Sequence, residues 1–180
     1  MANFAQAYLF TKPQEGKWSN NPIDRGGPTN YGITLTALKA CGLEFDVDKN
    51  GFIDINDLKD LTPDEVETFY KQRFWLPIYE QISSQAVATY IFDMSVNLGP
   101  NAIHGLLQRG ICCLAGNRMA LPQDGVMGPK TLELTNRFTL ALLPVLRAVR
   151  EGYYRAIVAG HPDQKIFLDD WLNRTYGVIL

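Results

Sequence analysis

The chain has 180 residues and 46% hydrophobic content, enough to bury one sizeable core and too much for a disordered tail. Its formal net charge is −2, and twelve of its nineteen acids but only eight of its seventeen bases fall in residues 1 to 80. That bias excludes a nucleic-acid binder, which needs a dense basic stripe. The cysteines Cys41, Cys112 and Cys113 are odd in number and include a vicinal pair that could bridge only through a strained ring, so reduced core thiols are expected rather than a disulfide framework.

The start, MANFAQAYLFTKPQ, has no basic segment, and Gln6 and Thr11 break its apolar run. Neither a signal peptide nor membrane insertion is expected, and the chain is read as folding in a cytoplasm. Phe4, Tyr8 and Leu9 predict an amphipathic first helix. Residues 15 to 32 then leave the helical pattern for turn dipeptides, and residues 43 to 57 for an acid-rich loop. Chemistry is sought in both, because loops on a rigid scaffold carry function.

Beyond them the pattern is helical. LTPDEVETFY offers Thr62 as N-cap, Pro63 at the first helical position and Glu65 as the returning partner of a capping box. Apolar spacing continues through Val87, Ile91, Met94 and Leu98, then Ile103, Leu106, Leu107, Ile111 and Leu114. Gly99 with Pro100 ends one helix, and Gly128 with Pro129 precedes another. The expected fold is mainly α. MALPQDGVMGP is the best joint between helical groups, giving a core over residues 1 to 120 and a helical region over 121 to 180 packed on the same domain.

In EGKWSNNPIDRGGPTNYGIT, Glu15 and Asp24 supply what cleavage of a glycosidic bond requires. One protonated carboxyl donates to the leaving oxygen, and a second carboxylate activates water or stabilises an oxocarbenium-like transition state. Glu15 follows the first helix, where partial burial would raise its pKa toward that of a useful acid. Asp24 is expected across a turn-rich hairpin, and the Thr29 hydroxyl is placed to help hold the attacking water. Gly26 and Gly27 permit the reversal, Gly32 ends the hairpin, and Thr34 caps the next helix.

DVDKNGFIDIND carries the spacing of an EF-hand loop. Asp46, Asp48, Asn50, Asp54 and Asp57 stand at positions 1, 3, 5, 9 and 12, with Gly51 at the sixth and the Phe52 carbonyl at the seventh. A calcium ion with a structural or regulatory role is expected, since converging acids repel one another without a cation. The twelfth ligand is Asp rather than Glu, as in dockerin-like loops. No second hand is present to pair with it.

The Glu15 to Thr34 stretch resembles the EGGY…DPGG.TN.GIT signature of glycoside hydrolase family 108, N-acetylmuramidases of phage endolysins and bacterial wall enzymes. The resemblance continues through LTPDEVETFYKQRFWLPIY and IFLDDWLNR. FDMSVNLGPNAIHGLLQRGI and DGVMGPKTL resemble that family's predicted peptidoglycan-binding region. It implies a lysozyme-like helical domain with a small β-hairpin at the active site. It also implies Glu15 as the catalytic acid, with Asp24 and Thr29 carried over by the Glu, Asp, Thr order of phage lysozymes. The implied substrate is the β-1,4 bond between N-acetylmuramic acid and N-acetylglucosamine in peptidoglycan glycan strands. The expected absence of an export signal fits an endolysin held in the host bacterial cytoplasm before release to the periplasm and wall, and a monomer is expected.

Lys17 and Trp18 depart from the Gly and Tyr usual in that signature, and Lys17 is expected to face solvent. Trp18 and Tyr31 are candidate sugar-stacking residues, while Trp75 reads as core. His104 and His161 lack ligand spacing and read as structural or surface residues. Two rival readings remain: a lytic transglycosylase, which needs no water-activating carboxylate, and a silent wall-binding module.

Overall fold

The computed structural model describes residues 1–20 and 27–177. By compactness the chain divides into one unit of Tyr8–Trp75 and another of Met1–Ala7 with Leu76–Leu180. The mainly helical expectation holds, with one two-stranded antiparallel sheet among the described residues. Residue 120, where the sequence suggests a joint, lies inside the second unit.

Helix α1 (Phe4–Thr11) runs into a short 3-10 turn, Lys12–Gln14, that delivers Glu15 in extended backbone. Phe4, Ala7, Tyr8 and Thr11 form its buried face. Leu9, expected on that face, is instead 70% exposed. It stands one position beyond Tyr8, about 100° round the helix, and so points away from the Phe4, Ala7, Thr11 stripe.

Strands β1 (Thr29–Asn30) and β2 (Ile33–Thr34) pair through Thr29 with Thr34 and Asn30 with Ile33. The two residues between them, Tyr31 (φ 50°) and Gly32 (φ 72°), both lie in the left-handed region. That is the requirement of a type I′ turn, whose twist matches that of the strands. Thr34 then caps α2 (Leu35–Lys39) by accepting from the Ala37 amide at 3.1 Å, as its position predicts. The buried Asn30 amide donates to the carbonyls of Leu58 (2.8 Å) and Lys59 (3.2 Å), tying the hairpin to α3 (Ile55–Asp60). Helix α4 (Pro63–Phe74) begins with the predicted Thr62 and Glu65 capping box. Its buried face adds Val66, Phe69 and Tyr70 to a core with Leu38, Phe45, Leu58 and Trp75.

The second unit is built on α5 (Gln85–Leu98) and α6 (Pro100–Leu114), separated at Gly99 as the sequence predicts. After it come α7 (Pro129–Phe138), α8 (Leu142–Gly160) and α9 (Leu168–Tyr176). Gly110 lets α6 approach α8 closely, since a Cβ there would stand 3.2 Å from Val145 Cγ1. Asp93 on α5, fully buried, takes Arg150 of α8 and Arg174 of α9, each at 2.8 Å. Burial opposes the Arg150 charge, but the Asp93 carboxylate together with Tyr154 and Tyr90 outweighs it and raises its pKa. A buried ion is tolerated only with such pairing. None of the described helices is long and apolar enough to cross a membrane.

His104 is structural, as expected. Its Nδ1 can only donate to the Gly125 carbonyl (3.0 Å), so in the neutral ring Nε2 accepts from the Tyr79 hydroxyl at 2.6 Å. Burial lowers its pKa below the ordinary value, with the Gly125 hydrogen bond opposing. The folded state therefore binds this proton less readily than the unfolded chain. Stability contributed by the neutral ring is present above about pH 6.5 and is lost as pH falls from there toward the lowered folded value. Denaturant titrations between pH 7.5 and 5 should give a wild-type slope up to about 1.4 kcal/mol per pH unit steeper than that of His104→Gln. Equal slopes would show that the fold does not lower the pKa of this histidine.

Of the three cysteines, all free, Cys112 is buried and Cys41 half-buried, but Cys113 is exposed. The core-thiol expectation is corrected for Cys113, because adjacent helical positions cannot share one face.

Candidate active site

Glu15 emerges from the 3-10 turn half-buried, and its carboxylate lies over the tip of the β1–β2 hairpin. The approach is measured by Gly32. A Cβ built there would stand 2.2 Å from Glu15 Oε2 and 2.9 Å from the Tyr70 hydroxyl, so only glycine leaves the carboxylate this position. The turn glycine therefore meets two demands, a positive φ and the absence of a side chain.

Tyr70, buried on α4, donates its hydroxyl to the Tyr31 carbonyl at 2.7 Å. That bond fixes the turn on which the carboxylate rests. Tyr8 packs its ring 5.6 Å from that of Tyr70. Burial, followed by the nearby charges of Glu67, Glu15 and Tyr31, pushes the Tyr8 phenol up to about 12. It thus stays protonated beside Glu15 and can donate a hydrogen bond throughout the physiological range. Tyr70 and Tyr8 were not legible as site residues. Each sits on an ordinary apolar helix face, and Tyr70 is 39 residues from the carbonyl it holds.

Among the other expected site residues, Thr29 is in β1 and half-buried, exchanging two 2.8 Å backbone hydrogen bonds with Ser19. Tyr31 is half-buried at the turn. Trp18 is 37% exposed, with the Lys59 ammonium 5.2 Å from its ring centroid. Lys17 faces solvent, as expected. Asp24 and Gly26 lie outside the described residues. Trp75 is core and His161 is a surface residue, as read.

In the acid-rich loop, carboxylate oxygens of Asp46, Asp48 and Asp57 lie within 4.8 Å of one another. The backbone has positive φ at Lys49 (57°) and Gly51 (97°), which makes the tight reversal the spacing demands. The fully buried Asp57 accepts from the amides of Val47 (2.8 Å), Asp48 (3.3 Å) and Asp54 (2.7 Å). Burial raises its pKa, but the Asp54, Asp48 and Val47 amides outweigh that and hold it below the usual carboxylate range. It is therefore an anion at neutral pH. Asp54 stands outside the three-carboxylate group and caps α3 through the Asn56 amide at 2.6 Å. Asn50 Oδ1 accepts from Phe52 N at 3.1 Å, so its carbonyl oxygen is partly committed to the loop. An all-oxygen donor set around a tight turn fits a hard cation, with position 9 acting through water.

The model of the family described as glycosyl hydrolase 108 matches residues 8–99. Among solved structures, that of Brucella abortus SagA is similar in fold, with a TM-score of 0.75 and 24% sequence identity. The match covers 97% of this chain and 90% of that one. A comparison with curated proteins gave no match.

Proposed function

The chain belongs to the glycosyl hydrolase 108 family, and from that premise we propose that it is a muramidase. In this reading it hydrolyses the β-1,4 bond between N-acetylmuramic acid and N-acetylglucosamine in peptidoglycan. The observation that carries it is the Glu15 carboxylate seated on the Gly32 turn, which only glycine permits. Glu15 donates a proton to the leaving oxygen, Asp24 activates or orients water, and Thr29 helps to hold that water. Trp18 and Tyr31 flank the sugar. The role is that of an endolysin, reaching the wall from the host cytoplasm after the inner membrane is permeabilised.

The test is digestion of purified peptidoglycan followed by mass spectrometry. Hydrolysis gives fragments with a free reducing end, one water heavier than the 1,6-anhydro products of a transglycosylase. Asp24→Asn should lower the rate by about 10²-fold or more if the carboxylate takes the proton from water. Anhydro products, or no cleavage at all, would overturn the hydrolytic reading.

The loop of residues 46 to 57 is proposed to hold calcium through Asp46, Asp48, Asn50, the Phe52 carbonyl and Asp57, with Asp54 acting through water. The ion is structural and takes no part in the chemistry. Calcium at a hundredfold over its dissociation constant should add about 2.7 kcal/mol of stability. For a chain of this size that is a rise of about 5 to 11 °C in melting temperature. Asp48→Ala, which alters an exposed ligand and no core contact, should abolish the rise. Melting curves in EDTA and then calcium that coincide would leave the loop an acidic connector.

A further inference from the structure

At the C-terminal end of α6, Arg109, Cys113, Asn117, Arg118 and Gln123 line a concavity of about 520 Å³. It lies wholly within the unit that follows Leu76, and none of its lining residues belongs to the Glu15 site. Its polar lining has one character. Gln123 Oε1 accepts from Arg109 Nε at 3.3 Å, and Asn117 Oδ1 accepts from the Met119 amide at 2.9 Å. With both carbonyl oxygens engaged, each amide has its NH₂ group left to offer. No acid lines the concavity, and among the described residues neither Arg109 nor Arg118 forms an ion pair. Two guanidinium groups and two amide NH₂ groups make a lining of donors in a protein whose net charge is −2.

We propose that this concavity is an oxyanion subsite that takes peptide carboxylates. A planar guanidinium matches a carboxylate through two parallel hydrogen bonds, and uncharged donors beside it complete the set an anion requires. Arg109 and Gln123 also border an adjoining hollow of about 290 Å³ that includes Tyr153 and one acid, Asp124, whose Oδ1 is engaged by the Gln108 amide at 2.7 Å and the Val126 backbone amide at 2.9 Å. The surface on offer is therefore long enough for several residues of extended chain rather than a single ion. The identity of the ligand rests on the muramidase reading: peptidoglycan strands carry short stem peptides with free carboxylates. A subsite there holds the polymer by its peptides and acts apart from the sugar chemistry at Glu15.

The exposed Cys113 thiol on the wall of the concavity is a built-in reporter. Full-length protein is treated with iodoacetamide, an uncharged reagent, and alkylation of Cys113 is followed by peptide mapping. The additions are a free wall stem peptide, the same peptide with its carboxylates amidated, and inorganic phosphate. The free peptide should slow alkylation in a saturable way. Amidation, or the double variant Arg109→Ala with Arg118→Ala, should weaken that protection by about 10- to 100-fold in affinity, as loss of hydrogen bonds to a charged group implies. Both arginines are exposed, so the double variant should melt with the wild type, and its release of reducing ends from peptide-free glycan strands should be unchanged. Equal protection by the amidated peptide, full protection of the double variant, or no protection by any addition would overturn the subsite. Stronger protection by phosphate than by peptide would overturn the carboxylate assignment. Release of reducing ends is scored separately, so a protein that binds the peptide and cuts nothing sinks the muramidase reading while leaving the subsite in place.

Discussion

Glu15→Gln is expected to abolish release of reducing ends from peptidoglycan while leaving the melting temperature within a degree or two. The substitution keeps the shape and polarity of the side chain and removes the transferable proton, a contribution of about 10² to 10⁴ in rate. The fold should tolerate it because Glu15 is only half-buried, at the end of a 3-10 turn, and glutamine keeps the side chain's length and hydrogen-bonding oxygen. Turbidity clearance and reducing-end assays on purified variant and wild type provide the measurement. Retention of more than roughly a tenth of the activity would remove Glu15 from the acid's role.

Gly32→Ala should be almost as damaging, for a different reason. At φ 72° an alanine is strained, at a cost of about 1 to 2 kcal/mol. The new methyl would also stand 2.2 Å from Glu15 Oε2 and 2.9 Å from the Tyr70 hydroxyl. The carboxylate is the far end of a flexible side chain and can shift, so the domain should fold with a modest loss of stability. A displacement of about 1 Å in a reacting group can cost 10²-fold in rate. A fall of about that size in kcat, with binding of glycan strands largely kept, is the expected pattern. If Gly32→Ala kept wild-type kcat and lost only the stability of a strained turn, the contact between Glu15 and the turn would not matter to the chemistry.

The two experiments separate roles that one structure superimposes. Glu15 is argued from the proton it carries, and Gly32 from the space it leaves empty. Tyr70 links them, because its hydroxyl holds the Tyr31 carbonyl and so the turn. Tyr70→Phe should therefore resemble a mild form of Gly32→Ala, lowering kcat without altering which bond is cut.

Local chemistry was readable from the order of residues. Thr62 with Glu65, Thr34, and the breaks at Gly99 and Gly128 each express a hydrogen bond or a steric limit that acts over three or four residues, and each stands where the sequence placed it. Turn chemistry is local too, so a hairpin was expected here, but with Gly32 closing it after a reversal at Gly26 and Gly27; the structure puts Gly32 in the turn between β1 and β2 instead. Leu9 and Cys113 were misplaced because helical spacing defines a stripe only to within a residue, and which side of it meets the core is settled by the elements packed there. What no local rule could supply was the meeting of Glu15, Gly32, Tyr8 and Tyr70, or the commitment of Asn117 and Gln123 as donors beside Arg109 and Arg118. Those depend on side chains brought together from separate elements. The sequence determined which residues could do the chemistry and how each helix begins and ends; the tertiary structure decided which of them share a site, because contact across tens of residues is set by packing and leaves no periodic trace in the chain.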